Sequence, residues 1–139
     1  MNPRITATIA LLFSCTILAG QDTPQIKRVP IKSTSAASGK EMFVQYCASC
    51  HGTDGKGAGP ATAALKTSPG NLTTLTARNK GEFPGLRVAQ MIQGEETTVA
   101  HGSRDMPTWG QVFHEREPLA MVKLRVNNLT DYIKSLQPK

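Results

Sequence analysis

Residues 47–51 read Cys47-Ala48-Ser49-Cys50-His51, and no other stretch so constrains what this chain can fold into. Two thiols three positions apart, followed at once by an imidazole, have the spacing of a c-type haem attachment site. The thiols suit thioether bonds to the two vinyl groups on one edge of a porphyrin. The histidine beside them is then placed to give a ring nitrogen to the iron. A polypeptide carrying such a group has to fold around it. Two other readings use the same residues, a dithiol redox pair and half of a zinc site. A zinc ribbon needs a second Cys/His pair, and the only other cysteine is Cys15. A dithiol pair of the thioredoxin kind usually opens a helix within a βαβ unit, whereas here helical sequence runs into Cys47 from its N-terminal side.

The first twenty residues read as an export signal. Arg4 stands in a short n-region, and an apolar stretch from Ile5 to Ala19 follows, broken by small polar residues. That stretch falls short of the roughly 20 predominantly apolar residues of a membrane span. With Cys15 inside the signal, the mature chain keeps only the motif pair and has no disulfide framework. Leu12-Phe13-Ser14-Cys15 weakly resembles a lipobox, which would make Cys15 a lipidated N-terminus. Against this, apolar Ile17, Leu18 and Ala19 continue after it, and an h-region residue is the plainer reading. Removing residues 1–20 takes away one Arg and no acid, so the formal charge falls from +6 to +5. The basic residues are scattered, with no block or aromatic-interleaved patch of the kind that binds nucleic acid. A modest positive field instead suits transient docking on a partner with an acidic surface.

Residues 21–37, with their prolines, Ser/Thr and charges, read as a flexible linker. The folded unit is expected over 38–139, as one domain. Ser38 with Glu41 three positions on is a capping-box signal for a helix from Gly39 to about Ala48, with Met42, Phe43 and Tyr46 on one face. The glycine run from Gly52 to Pro60 must be loop; it lacks the ending and the preceding strand of a P-loop. A short helix is expected around 60–66 and irregular or briefly helical chain around 72–78. A further helix is expected over 84–93, stopped at Gly94 and burying Leu86, Ala89, and Val88 or Ile92. Residues 94–110 are expected as loop. The last helix should begin near Pro118, a favourable first-turn proline, and run to about Leu136, with Val122, Val126, Leu129, Ile133 and Leu136 on one stripe. No segment reads as a strand, so the expected class is all-α.

A haem iron with one histidine needs a second ligand or an open face. The candidates beyond the signal are Met42, Met91, Met106, Met121, His101 and His114. Met106 lies beside Pro107 in a loop-like stretch from which a thioether can approach the iron from the far side. Met42, Met91 and Met121 fall on expected helices, where methionine is more often core filler. His101 is the chief rival, while His114 sits among Glu115, Arg116 and Glu117 and reads as a surface residue.

Taken together, these motifs resemble a small monohaem class I (His/Met) c-type cytochrome, over essentially all of 38–139. Gly39-Lys40-Glu41-Met42-Phe43-Val44-Gln45-Tyr46-Cys47 resembles the family's N-terminal helix, with Gly39 and Phe43 at positions that pack on an aromatic of the C-terminal helix, here Tyr132. The resemblance implies a cytochrome c-like fold of several helices around one covalently attached haem c, with the N- and C-terminal helices packed together. It implies Met106 as the second axial ligand to His51, and Pro60 as the residue whose carbonyl accepts the histidine's distal N–H. The stretch from Gly94 to Asp105 is longer than the family's pattern. Trp109, the only tryptophan, is either a donor to a haem propionate or a core aromatic. Arg78, Lys80 and Arg87 are further candidates to balance a propionate. The expected function is a periplasmic one-electron carrier rather than an enzyme. The alternatives are a haem-bearing subunit of a respiratory dehydrogenase or oxidase complex, and a ligand-exchanging peroxidase or sensor.

Overall fold

The computed structural model describes residues 32–95 and 106–138. The export signal, Cys15, the first part of the linker and His101 lie outside the described residues. Within them the chain is all-α, as expected, with no strand. Helix α1 (Gly39–Met42) passes through a π-helical turn, Phe43–Cys47, into α2 (Ala48–His51). Short 3-10 turns follow at Thr62–Ala64 and Leu72–Thr74, then α3 (Leu75–Arg78) and α4 (Gly85–Gln93). Helices α5 (Trp109–His114) and α6 (Leu119–Ser135) complete the order. Among the described residues, no helix is long and apolar enough to cross a membrane.

The first helix begins where its cap predicts. The Ser38 hydroxyl accepts from the Glu41 N–H at 3.2 Å, while the Glu41 carboxylate reaches the Ser35 N–H at 3.3 Å. The first bond satisfies an orphan donor of the helix start, while the second ties the carboxylate to the segment ahead of the cap rather than to the Ser38 N–H. Helical backbone runs on to His51, beyond the expected end at Ala48. The π-helical turn has no evident sequence signal; it adds Ala48 to the buried set of Met42, Phe43, Tyr46 and Cys47.

Helix α1 crosses α6 at its closest approach through Gly39. A Cβ built there would stand 2.0 Å from the Asn128 carbonyl oxygen and 2.8 Å from Tyr132 Cβ. The missing side chain lets the two backbones touch, and it brings the Phe43 ring within 5.2 Å of Tyr132. Helices α4 and α5 also pack on α6. Val122, Val126, Leu129 and Ile133 of α6 are buried as the periodicity predicts, with Leu136 partly covered just past the helix end. Full burial of Phe43, Met42, Leu129 and Val122 contributes about 1.5–3 kcal/mol each.

Four expectations are corrected. Residues 32–37 are not free linker: Thr34 and Ala36 are buried, and Asn128 Nδ2 donates to the Ala36 carbonyl at 2.8 Å. Leu86 is 76% exposed instead of buried. At 100° per residue it lies about 120° around α4 from buried Ile92, while Val88 and Ala89 flank the packed face. Trp109 and Gly110 are helical, opening α5. Gly110 has no side chain where a Cβ would meet Gln93 Cα at 2.6 Å, so α5 starts directly against the end of α4. Finally, Pro118 caps α6 rather than standing in its first turn.

Candidate haem site

The motif ends a helix, and a helix end leaves its last carbonyls without partners. Here the glycine-rich loop supplies all four. Gly52 N–H donates to the Ala48 carbonyl at 2.9 Å, Ala61 to Ser49 at 2.8 Å, Gly59 to Cys50 at 3.0 Å and Gly57 to His51 at 2.7 Å. Thr62 Oγ1 adds a second bond to the Cys50 carbonyl at 3.1 Å. The loop's amides are thus spent on the motif's backbone, consistent with its not being a phosphate-binding loop. Two of its glycines are needed sterically. A Cβ on Gly59 would lie 2.4 Å from the Ser49 oxygen, and one on Gly57, at φ +90°, would lie 2.3 Å from the Pro69 oxygen. The motif is clamped at its exit by its own following residues.

His51 is half-buried, and its Nδ1 lies 3.2 Å from the Gly70 carbonyl. A carbonyl only accepts, so that bond puts the ring proton on Nδ1 and leaves the Nε2 lone pair for a metal. Burial holds the imidazole below the ordinary histidine pKa, partly opposed by the Gly70 hydrogen bond, which keeps the ring in its ligating, neutral form near pH 7. The expected partner was the carbonyl of Pro60. Pro60 is instead exposed, because the loop folds back through Gly59 and Ala61 onto the motif's end. Gly70 comes from a second pass of the chain. Leu72 N–H donates to the Gly55 carbonyl at 2.8 Å, and Asn71 caps the 3-10 turn through Thr73 N–H at 2.9 Å. Arg78, a candidate for a propionate, donates to the Asn71 carbonyl at 2.7 Å. The Pro69-Gly70-Asn71 turn was the available sequence signal.

Cys47 is buried, Cys50 half-buried, and no disulfide joins them. Burial, with Cys50 as a lesser cause, pushes the Cys47 thiol up to about 12. A dithiol oxidoreductase needs a depressed thiol pKa, so this environment disfavours that reading. Among the described residues, no group of three or more His, Cys, Asp or Glu could hold a metal ion, which removes support for a zinc site built from them. The residues present do fit a haem. Two unpaired thiols and an imidazole with a free nitrogen stand on adjoining helical turns. Leu72, Leu75, Phe83, Val88, Ala89 and Trp109 pack on the core yet stay partly exposed, leaving apolar surface for a flat cofactor to cover.

Met106 is 36% exposed on the segment leading into α5. That segment is pinned at its base, since a Cβ on Gly94, which ends α4, would stand 2.5 Å from Thr108 Cγ2. Met42 is wholly buried core, Met91 is half-buried, and Met121 and His114 are exposed. Trp109 is half-buried and stacks on Tyr46 with ring centroids 4.8 Å apart, so its body serves as a core aromatic.

Sequence reasoning missed a polar cluster behind that stack. Arg125, buried in α6, grips Glu117 through Nε and a terminal nitrogen at 2.6 Å each. It also donates to the Thr34 hydroxyl and carbonyl at 3.0 Å each, and lies 5.4 Å over the Phe113 ring. The signal was an arginine on the apolar stripe, between Val122 and Val126.

Residues 34–123 fit the family model described as cytochrome c oxidase, cbb3-type, subunit III. No curated protein and no solved structure matches the chain.

Proposed function

The chain belongs to the family described as cytochrome c oxidase, cbb3-type, subunit III, a c-type cytochrome family, and from that premise we propose that it carries single electrons through one covalent haem c with His/Met ligation. Cys47 and Cys50 would form the thioethers, and His51 and Met106 would bind the iron. The observation that carries the reading is the motif's geometry, with both thiols unpaired and His51 Nδ1 committed to Gly70. Bound haem supplies the one-electron iron couple. The chain's own contributions are to orient the imidazole, raise its basicity through the Gly70 carbonyl and bury the cofactor's edge. A thioether favours reduced iron, which places a His/Met site at higher potential than a bis-histidine one. With both axial positions filled, no site is left for peroxide or oxygen, so the protein works as a carrier rather than as an enzyme. Trp109, whose ring lies on Tyr46, would offer its indole N–H to a propionate.

We place the carrier in the periplasm, exported by residues 1–20, with docking on acidic partner surfaces. Inhibiting lipoprotein signal cleavage with globomycin tests a lipid anchor at Cys15. A second reading, favoured by the family description itself, is a haem-bearing subunit of an oxidase complex; co-isolation with a membrane complex distinguishes the two. Haem staining of a denaturing gel should lose its signal when Cys47 and Cys50 are both replaced by serine, and surviving covalent haem would refute the attachment. The ferric protein should show a sulfur-to-iron charge-transfer band that Met106→Ala removes, with a fall in potential. A spectrum and potential unchanged by that substitution would refute Met106 as ligand.

A further inference from the structure

Tyr46 immediately precedes Cys47, and two other parts of the chain hold its side chain. One face stacks on Trp109 at 4.8 Å and 28°, and Phe113 stands 5.6 Å away. Its hydroxyl pairs with Thr34 Oγ1 at 2.8 Å and donates to the Lys32 carbonyl at 3.1 Å. Thr34 is in turn fastened by Arg125, and Arg125 by Glu117 at the corner between α5 and α6. Trp109 opens α5 only three residues after Met106. The cluster therefore ties together the segment ahead of α1, the helix that carries the cysteines, and the segment that carries Met106.

A buried guanidinium is costly unless its donors are matched, and matched it is a rigid planar fork. Arg125 makes four hydrogen bonds, to two groups on Thr34 and two oxygens of Glu117, so both partners are held at fixed angles to α6. None of these residues is needed to bind a thioether or a porphyrin. What they fix is the separation between Tyr46 and Trp109.

We propose that Arg125 and Tyr46 are positioning residues, forming with Thr34, Trp109 and Glu117 a clamp that holds the Met106 segment against the haem-bearing helix and so keeps the methionine on the iron. The inference rests on the His/Met reading above. A loosened clamp lets the segment swing away, so an outside ligand displaces Met106 more easily, at little change to the cofactor's attachment.

The test uses the ferric holoprotein, titrated with imidazole while the sulfur-to-iron band is followed. Tyr46→Phe keeps the stack and removes only the hydroxyl; Arg125→Met removes the fork. Each should bind imidazole at about tenfold lower concentration than wild type, the scale of losing a hydrogen bond to a charged or buried partner. Ser38→Ala, which weakens the cap of α1 and touches neither ring, should lower the unfolding temperature without moving the imidazole midpoint. The clamp is overturned if Tyr46→Phe unfolds at lower temperature but binds imidazole within about twofold of wild type, a change worth less than half of one such bond. Absence of the band in the wild type overturns the His/Met reading, and the clamp with it.

Discussion

Replacing Gly39 by alanine tests the crossing on which the helix carrying Cys47 and Cys50 hangs. The added Cβ would lie 2.0 Å from the Asn128 carbonyl oxygen, and 2.8 Å from both that carbonyl's carbon and Tyr132 Cβ. Ordinary contact needs about 3.5 Å, so α1 and α6 must part by roughly 1.5 Å. A gap of that size forfeits half or more of the dispersion attraction across the crossing, including Phe43 against Tyr132. The overpacking cost is about 3 kcal/mol, while alanine's better helix propensity returns less than about 1 kcal/mol. A net loss of about 2 kcal/mol lowers the Tm of a unit this size by about 8–16 °C. Thermal unfolding of the ferric holoprotein, followed by far-ultraviolet circular dichroism and by haem absorbance, measures it. Adding Tyr132→Ala should recover little, because the nearest obstructing atom belongs to the backbone. A Gly39→Ala protein melting at or above the wild-type temperature would refute the close crossing.

Two further outcomes follow from the site. Gly57→Ala forces a Cβ against the Pro69 carbonyl at a backbone conformation disfavoured for alanine, and should cost about 2 kcal/mol. By displacing the Gly70 carbonyl from His51 it should also leave the imidazole less basic and raise the reduction potential; an unchanged potential with a lowered Tm would mean that Gly70 does not tune the ligand. Hydrogen bonding from Arg125, then its charge, outweighs desolvation and holds the Glu117 carboxyl below its ordinary value of 4.5. The ionised form is therefore what folding favours, and its contribution is complete above that value and drains away as pH falls through the folded pKa. Glu117→Gln should lower Tm at neutral pH and flatten its decline on acidification, and a decline as steep as wild type's would exclude the pair as its source.

The parts of the fold that were legible are those set by residues close in sequence. The Ser38 cap, the stop of α4 at Gly94 and the apolar stripe of α6 each follow from local chemistry, and each stands where it was expected. Leu86 was misjudged because hydrophobicity does not say which side of a nine-residue helix meets a neighbour. The short helix after Pro107 was missed because its start is set by contact of Gly110 with Gln93 across an intervening segment.

The candidate site divides along the same line. The pentapeptide by itself carries the proposal of a covalent haem, with two attachment points and a first ligand, since thiol spacing and an adjoining imidazole are local geometry. Which carbonyl meets His51 was a question of how the chain returns, and the return through Pro69 and Gly70 displaced the expectation of Pro60. The Arg125 cluster joins residues 91 positions apart, a pairing that no local pattern encodes. The sequence alone determined that Cys47, Cys50 and His51 stand at the spacing of a c-type haem attachment motif. Only the tertiary structure decided what orients that histidine and what braces the helix that bears it, because both depend on where distant backbone comes to rest.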